Sequence, residues 1–263
     1  MGVKITADKK EIYRFLSKAP ELQLYLIGDL DDFFWPHTLW YAFYDNGVIQ
    51  SIALLYNGMI PSTLLLFYDK DPDYPAELLK SIKPLLPEKF NAHLSPGLKD
   101  VFGKENITED YGRNFRMILR KDPEASFDEN IRRLAISDLK DIKELYSIAY
   151  PDNWFDARMM ETGKYFGYFR KGKLVAISGI HVYSSEYRIA ALGNIATHPR
   201  FRGQKIAYKL TSALCIDLKK SVDIIGLNVK SDNAAAIKCY ENIGFEVSSS
   251  YDECQVKNLP RSG

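Results

Sequence analysis

Between Trp40 and Tyr56 apolar and polar residues alternate or run aromatic on either side of Asn46-Gly47, which predicts two antiparallel strands joined by a two-residue turn. Residues 165–183 repeat the pattern around Lys171-Gly172. Overlaid at a constant offset of 125, Trp40 meets Tyr165, Tyr41 meets Phe166, Phe43 meets Tyr168, Gly47 meets Gly172, Ile49 meets Leu174 and Ile52 meets Ile177. Upstream, the helix-like run with Ile12 and Phe15 resembles the run with Ile142 and Leu145 at a slightly different offset. Two tandem copies of one helix-then-hairpin plan explain the match economically. The polar stretch Lys121 to Asn130, with Pro123 inside it, is the expected joint, giving domains over 1–124 and 125–263.

The second half is expected to run helix (138–149), strand, turn, strand (173–183), strand (187–197), helix (204–219), strand (223–229), helix (233–242), strand (245–250) and strand (252–257). That order predicts an α+β fold, a mixed and largely antiparallel sheet flanked by helices. The first half reads similarly.

Composition narrows the function. The chain has 263 residues, 46% hydrophobic and 26% charged, as a globular protein should. Its 35 Lys+Arg against 34 Asp+Glu leave a net charge of +1, so no strong field draws it to nucleic acid or to an anionic membrane surface. Cys215, Cys239 and Cys254 are odd in number and lack metal-ligand spacing, which argues against both a disulfide framework and a metal site. No apolar run approaches the ~20 residues of a membrane span, and no leader pattern is present, so a soluble, cytoplasmic protein is expected.

Two segments carry chemistry. Asn194-Ile195-Ala196-Thr197-His198-Pro199-Arg200-Phe201-Arg202-Gly203-Gln204-Lys205-Ile206-Ala207 passes from an apolar strand through Pro199 into a helix, where Ile206, Leu210, Ala213, Leu214 and Leu218 share a face. The turn therefore sits at a helix N-terminus, whose unpaired N–H groups and dipole favour an anion such as a diphosphate. Leu227 to Phe245 then reads as a strand, a helix capped by Ser231 or Asp232, and a stop at Gly244. Within it Asn233 and Tyr240 lie two turns apart on one face.

The first segment resembles the GNAT acetyltransferase signature Gln/Arg-x-x-Gly-x-Gly/Ala, with Arg202 at the first position and Ala207 at the last. Lys205 departs from it, standing where the family usually has glycine. The second resembles Asn-x-x-Ala-x-x-x-Tyr-x-x-x-Gly-Phe with every position filled. The resemblance spans about residues 130–257 and implies an N-acyltransferase using acetyl-CoA or another short acyl-CoA. It gives the cofactor diphosphate to Arg202, Gly203, Gln204, Lys205, Ile206, Ala207 and Tyr208, and the acyl and pantetheine groups to backbone at Ile195, Ala196 and Thr197. It further implies Asn233 on the CoA arm, Tyr240 as the general acid toward the thioester sulfur, and an amine of a small molecule or peptide as acceptor. Where many relatives carry a glutamate this chain has Asn228, which leaves His181, His198 and Glu186 as candidate bases. Lys205 and Asn228 also admit an inactive CoA-binding sensor or scaffold.

In the first copy the equivalent turn is Asp69-Lys70-Asp71-Pro72-Asp73-Tyr74-Pro75, with three carboxylates and no glycine. A diphosphate there would be repelled, so this copy is expected not to bind CoA. The tandem plan resembles glycine N-acyltransferase-like proteins. Phe33, Phe34, Trp35 and Trp40 are expected to pack in a core rather than line an acceptor pocket.

Overall fold

The computed structural model describes residues 1–124, 128–151 and 153–258. They fall into two compact units, Met1–Arg116 with Ser248–Gly263, and Met117–Val247. The boundary expected at 124/125 adjoins residues 125–127, which lie outside the described residues.

In chain order the elements begin β1 (Gly2–Thr6), α1 (Lys9–Leu16), α2 (Leu24–Gly28), β2 (Thr38–Asp45), β3 (Val48–Tyr56), β4 (Ser62–Leu66), α3 (Asp73–Ile82), β5 (Lys89–Leu94) and β6 (Ile107–Leu119). They continue with β7 (Ile131–Arg133), α4 (Leu139–Ala149), β8 (Phe166–Arg170), β9 (Lys173–Ser184), β10 (Ile189–Thr197), α5 (Ile206–Leu218), β11 (Ile224–Lys230), α6 (Ala234–Ile243) and β12 (Phe245–Lys257). In the first unit the strand order is β1-β2-β3-β4-β5-β12-β6, and in the second β11-β10-β9-β8-β7. β1–β2, β2–β3, β3–β4, β5–β12, β7–β8, β8–β9 and β9–β10 pair antiparallel, whereas β4–β5 and β10–β11 pair parallel, each of these two pairs being spanned by a helix. The α+β architecture with a mixed, largely antiparallel sheet is therefore present. One expectation fails: the strands predicted at 245–250 and 252–257 are the single strand β12. Tyr251, where a break was expected, is buried, as is Asp252 after it, and the ladder with β5 runs unbroken from Asp252↔Leu94 to Lys257↔Lys89.

The two copies agree at the level of hydrogen-bond register. In the first hairpin the β2–β3 ladder reads Tyr41↔Ala53, Ala42↔Ile52, Phe43↔Ser51, then shifts and resumes at Tyr44↔Ile49. Adding 125 to every number reproduces the β8–β9 ladder, Phe166↔Ser178, Gly167↔Ile177, Tyr168↔Ala176, a shift, and Phe169↔Leu174. Both turns have two residues at positive φ, Asn46 and Gly47 at 48° and 77°, Lys171 and Gly172 at 48° and 73°, as a type I′ turn requires.

Each unit has its own interior. In the first, Tyr41, Leu64, Leu79, Phe90 and Phe102 belong to one buried cluster, while Phe34 and Trp40 are buried and Trp35 stacks on Trp40. In the second, Ile206 and Leu210 of α5 pack against Tyr168, Val175 and Ala176 of the sheet. Asp128 ties α5 to the chain entering the second unit. Its carboxylate accepts hydrogen bonds from the Asn130 backbone and side chain (3.0 and 2.7 Å), from Lys209 on α5 (3.0 Å) and from Tyr168 (3.2 Å). Burial alone would raise its pKa, but these donors outweigh it and lower the value from 3.8 to about 2. A depressed carboxylate contributes stability that is complete above the unfolded pKa and lost as pH falls through the folded one. Thermal melts taken between pH 5 and pH 2 are expected to fall less steeply for Asp128→Asn than for the unmodified chain, and parallel slopes would contradict the assignment.

Candidate functional site

Strands β10 and β11 begin as parallel neighbours and then part. Their ladder runs from Ile189↔Ile224 to Leu192↔Leu227 and ends there, although β10 continues to Thr197 and β11 to Lys230. Over the same stretch β10 stays on β9, through Ala196↔Ile177 and Thr197↔Ala176, after a register shift between Gly193 and Ala196. Ile195, Ala196 and Thr197 thus line one side of a wedge between two diverging strands.

At the open end of the wedge the chain turns into α5. Pro199 starts a short 3-10 turn whose cap is His198, and the His198 Nδ1 accepts the Arg200 N–H at 3.2 Å. Gly203 (φ 76°) and Lys205 (φ 57°) both adopt left-handed backbone, and α5 starts at Ile206, two residues later than expected. Its first closing bond is Lys209 N–H to the Lys205 carbonyl, 3.1 Å. Among the described residues, none of the N–H groups from Gly203 to Tyr208 meets a protein acceptor. Gly203, Gln204 and Lys205 are exposed. Six consecutive donors at the positive end of a thirteen-residue helix have the chemistry that suits an anion. Lys205 occupies the left-handed position itself, at a backbone cost of roughly 1–2 kcal/mol that a glycine would avoid. Arg202 is partly committed elsewhere: its guanidinium reaches the carbonyls of Thr197 (3.2 Å) and Ala149 (3.4 Å), tying the end of β10 to the end of α4.

The second motif forms a helix whose cap differs from expectation. Asn233, rather than Ser231 or Asp232, is the N-cap, its Oδ1 accepting the Ala236 N–H at 3.1 Å. An asparagine held this way has its Nδ2 donor turned to other partners. Tyr240 is half-buried, with its ring edge toward Phe245 at 6.1 Å. Gly244 ends α6 at φ 116°, where an added Cβ would lie 2.8 Å from the Lys121 carbonyl oxygen.

The three candidate bases separate. His198 is a turn cap whose Nδ1 is occupied. Glu186 sits in the β9–β10 turn beyond Ile189, about 17 Å of strand away from Asn194. His181 lies against the shifted part of β10: a Cβ on Gly193 would fall 1.5 Å from its ring.

Sequence reasoning missed the groups that hold the shift in place. Asn194 sits within it at φ 54° and is 2% exposed. The Tyr146 hydroxyl on α4 donates to its carbonyl at 2.7 Å, and its Nδ2 donates to the Tyr165 oxygen at 2.9 Å. Burial pushes the pKa of both phenols up, so each keeps its proton. The one legible signal was Gly193-Asn194 inside an apolar strand, a pairing typical of bulges.

In the first unit the corresponding place is closed. The β4–β5 ladder persists through Leu66↔Leu94, and the Ser95 N–H then bonds the Leu66 carbonyl at 3.1 Å. The Ser95 hydroxyl accepts the Tyr68 N–H at 3.1 Å. Asp71 accepts the Asp73 N–H at the start of α3. No wedge opens between these two strands.

Residues 129–245 match the model of the acetyltransferase (GNAT) family. The second unit carries a GNAT acetyltransferase domain. Solved structures agree on the fold. A Drosophila protein aligns over 99% of both chains with a TM-score of 0.73 at 14% identity. A tandem GNAT protein from the clavulanic acid biosynthesis pathway aligns over 99% of both at 0.62 and 13% identity. A GNAT-family acetyltransferase from Colwellia psychrerythraea covers 98% of this chain and 100% of its own, at 0.60 and 15% identity. Comparison with curated proteins returns no match. This GNAT domain holds the wedge, the run of N–H donors and α6 together, and among the described residues no cluster of metal-binding side chains accompanies them. No helix there is long and apolar enough to cross a membrane.

Proposed function

We propose that the chain transfers an acetyl or other short acyl group from CoA to an amine on a small molecule or peptide. The observation that carries the reading is the run of unpartnered N–H groups from Gly203 to Tyr208 at the mouth of the β10–β11 wedge. In this reading the run forms a cradle for the CoA diphosphate. The pantetheine arm extends the sheet between the strands, bonding backbone at Ile195, Ala196 and Thr197, and the Asn233 amide donates to it.

The amine nitrogen attacks the thioester carbon, and the carbonyl electrons move to oxygen, which the backbone N–H near Ile195 stabilises. Collapse breaks the C–S bond, and the departing sulfur takes the Tyr240 proton. The proton released by the amine returns to the phenolate through His181 or water, so amine and acyl-CoA yield amide and CoA thiol. His181 is assigned the base role because it alone of the three candidates lies beside the β10 shift. The first copy is read as a support that binds no CoA, its strands being paired where the second copy's diverge.

Calorimetric titration with CoA, followed by thiol release from acetyl-CoA over a panel of amines, tests this reading. Saturable binding with amine-dependent release supports it. Binding without turnover for any amine would instead make the protein a CoA sensor, and no binding would remove the cradle assignment.

A further inference from the structure

The shift in β10 is held by a chain of hydrogen bonds whose polarity can be worked out. Tyr165 has one hydroxyl hydrogen, and both acceptors within its reach, the Ile180 carbonyl at 2.8 Å and the weaker Met159 Sδ at 3.3 Å, can only accept it. Its oxygen must therefore accept from Asn194, which fixes the Asn194 amide with Nδ2 toward Tyr165 and leaves the buried Oδ1 without a partner. Room for the Tyr165 ring exists because residue 179 is glycine: an added Cβ would lie 2.2 Å from the ring. On the other side Tyr146 clamps the Asn194 carbonyl. A left-handed residue and an orphaned acceptor, both buried in a strand, each lower stability, and such strain persists where a site needs it. The first copy provides the control within the same chain. Its β3–β4 ladder, Leu54↔Leu65 to Tyr56↔Thr63, has no shift, and β4 has no residue at positive φ. The shift and its clamp thus accompany the open wedge and are missing from the closed one.

We propose that Tyr146 and Tyr165 are positioning residues: by holding Asn194 in its left-handed bulge they aim the Ile195 main-chain N–H at the carbonyl oxygen of the bound thioester. The proposal rests on the acyl-transfer reading and deepens it. A bulge rotates the peptide groups that follow it. With either phenol removed, the segment is free to relax toward a regular ladder with β9, and the N–H turns away from the wedge.

Tyr146→Phe and Tyr165→Phe in the full chain test this, since each deletes one hydroxyl and keeps the ring. Folded content is followed by circular dichroism and CoA affinity by calorimetry. The expected result is unchanged CoA affinity, an unchanged acceptor KM and a kcat lowered about 10- to 100-fold. The infrared carbonyl band of bound ¹³C-acetyl-CoA is expected to move back toward its free-solution position. A purely structural role would leave that band in place in the folded fraction, so an unmoved band, or an unchanged kcat, overturns the proposal. Asn194→Gly, which keeps left-handed freedom but loses the bond to Tyr165, is expected to show the same band displacement; a wild-type band in that variant counts against the clamp. Failure of the unmodified chain to bind CoA would be seen in the first titration and would bring down the underlying reading as well.

Discussion

Replacing Tyr240 with phenylalanine is expected to lower kcat by about a hundredfold, within the range for losing a general acid, while CoA affinity and melting temperature stay unchanged. The chemistry sets the size. A thiolate leaving without a proton is a poor match for a half-buried wedge, whereas a phenol of pKa ~10 transfers its proton to an alkyl thiolate with little driving force wasted. The structure explains why the fold should tolerate the change: the Tyr240 ring packs edge-on against Phe245, and phenylalanine retains that contact. The effect should also respond to the acyl donor. A thioester with a more acidic thiol needs less protonation, so the ratio between the two proteins is expected to shrink with such a donor. A variant as fast as the unmodified chain with acetyl-CoA would take Tyr240 out of the mechanism.

Lys205→Glu is the second large effect, and its sign differs between folding and binding. At the N-terminus of α5 a carboxylate interacts well with the helix dipole, so thermal stability is expected to hold or rise slightly. In the proposed binding mode the same charge faces the diphosphate of CoA, and the Kd is expected to rise about tenfold at low salt, with the difference narrowing as ionic strength increases. Lys205→Gly separates charge from backbone. It removes the side chain from a residue at φ 57°, relieving the left-handed strain, and is expected to keep most of the affinity if, as proposed, the N–H groups do the binding. If the glycine variant weakened CoA as much as the glutamate variant, the lysine ammonium rather than the main chain would be the principal anion contact.

Much of this architecture could be read in the residues because its signals are local. Asn46-Gly47 and Lys171-Gly172 each dictate a turn through positive φ, and turn geometry sets the register of the strands they join. Pro199, Gly203 and the apolar face beginning at Ile206 place a helix start after a strand, which is enough to predict an anion site. The details that escaped prediction are non-local. Whether β10 and β11 stay paired beyond Leu192 depends on what lies between them, and no spacing in the chain encodes it. The Tyr146 and Tyr165 contacts to Asn194 span 48 and 29 positions. The break expected at Tyr251 is absent, since Tyr251 and Asp252 are buried in one continuous strand and tertiary burial decides its length. The cap at Asn233 was misplaced by a residue or two, the usual precision of helix ends read from composition.

β12 lies between β5 and β6 in the first unit, yet its residues are made more than a hundred positions after theirs. During synthesis the place between β5 and β6 is therefore expected to stay unfilled until the whole acetyltransferase domain has left the ribosome. A gene fragment ending near Arg116 would encode two sheet edges that have lost their common neighbour, and such edges invite pairing with other chains. Expression of the first copy by itself should yield aggregate, and supplying a peptide with the sequence of β12 should rescue it.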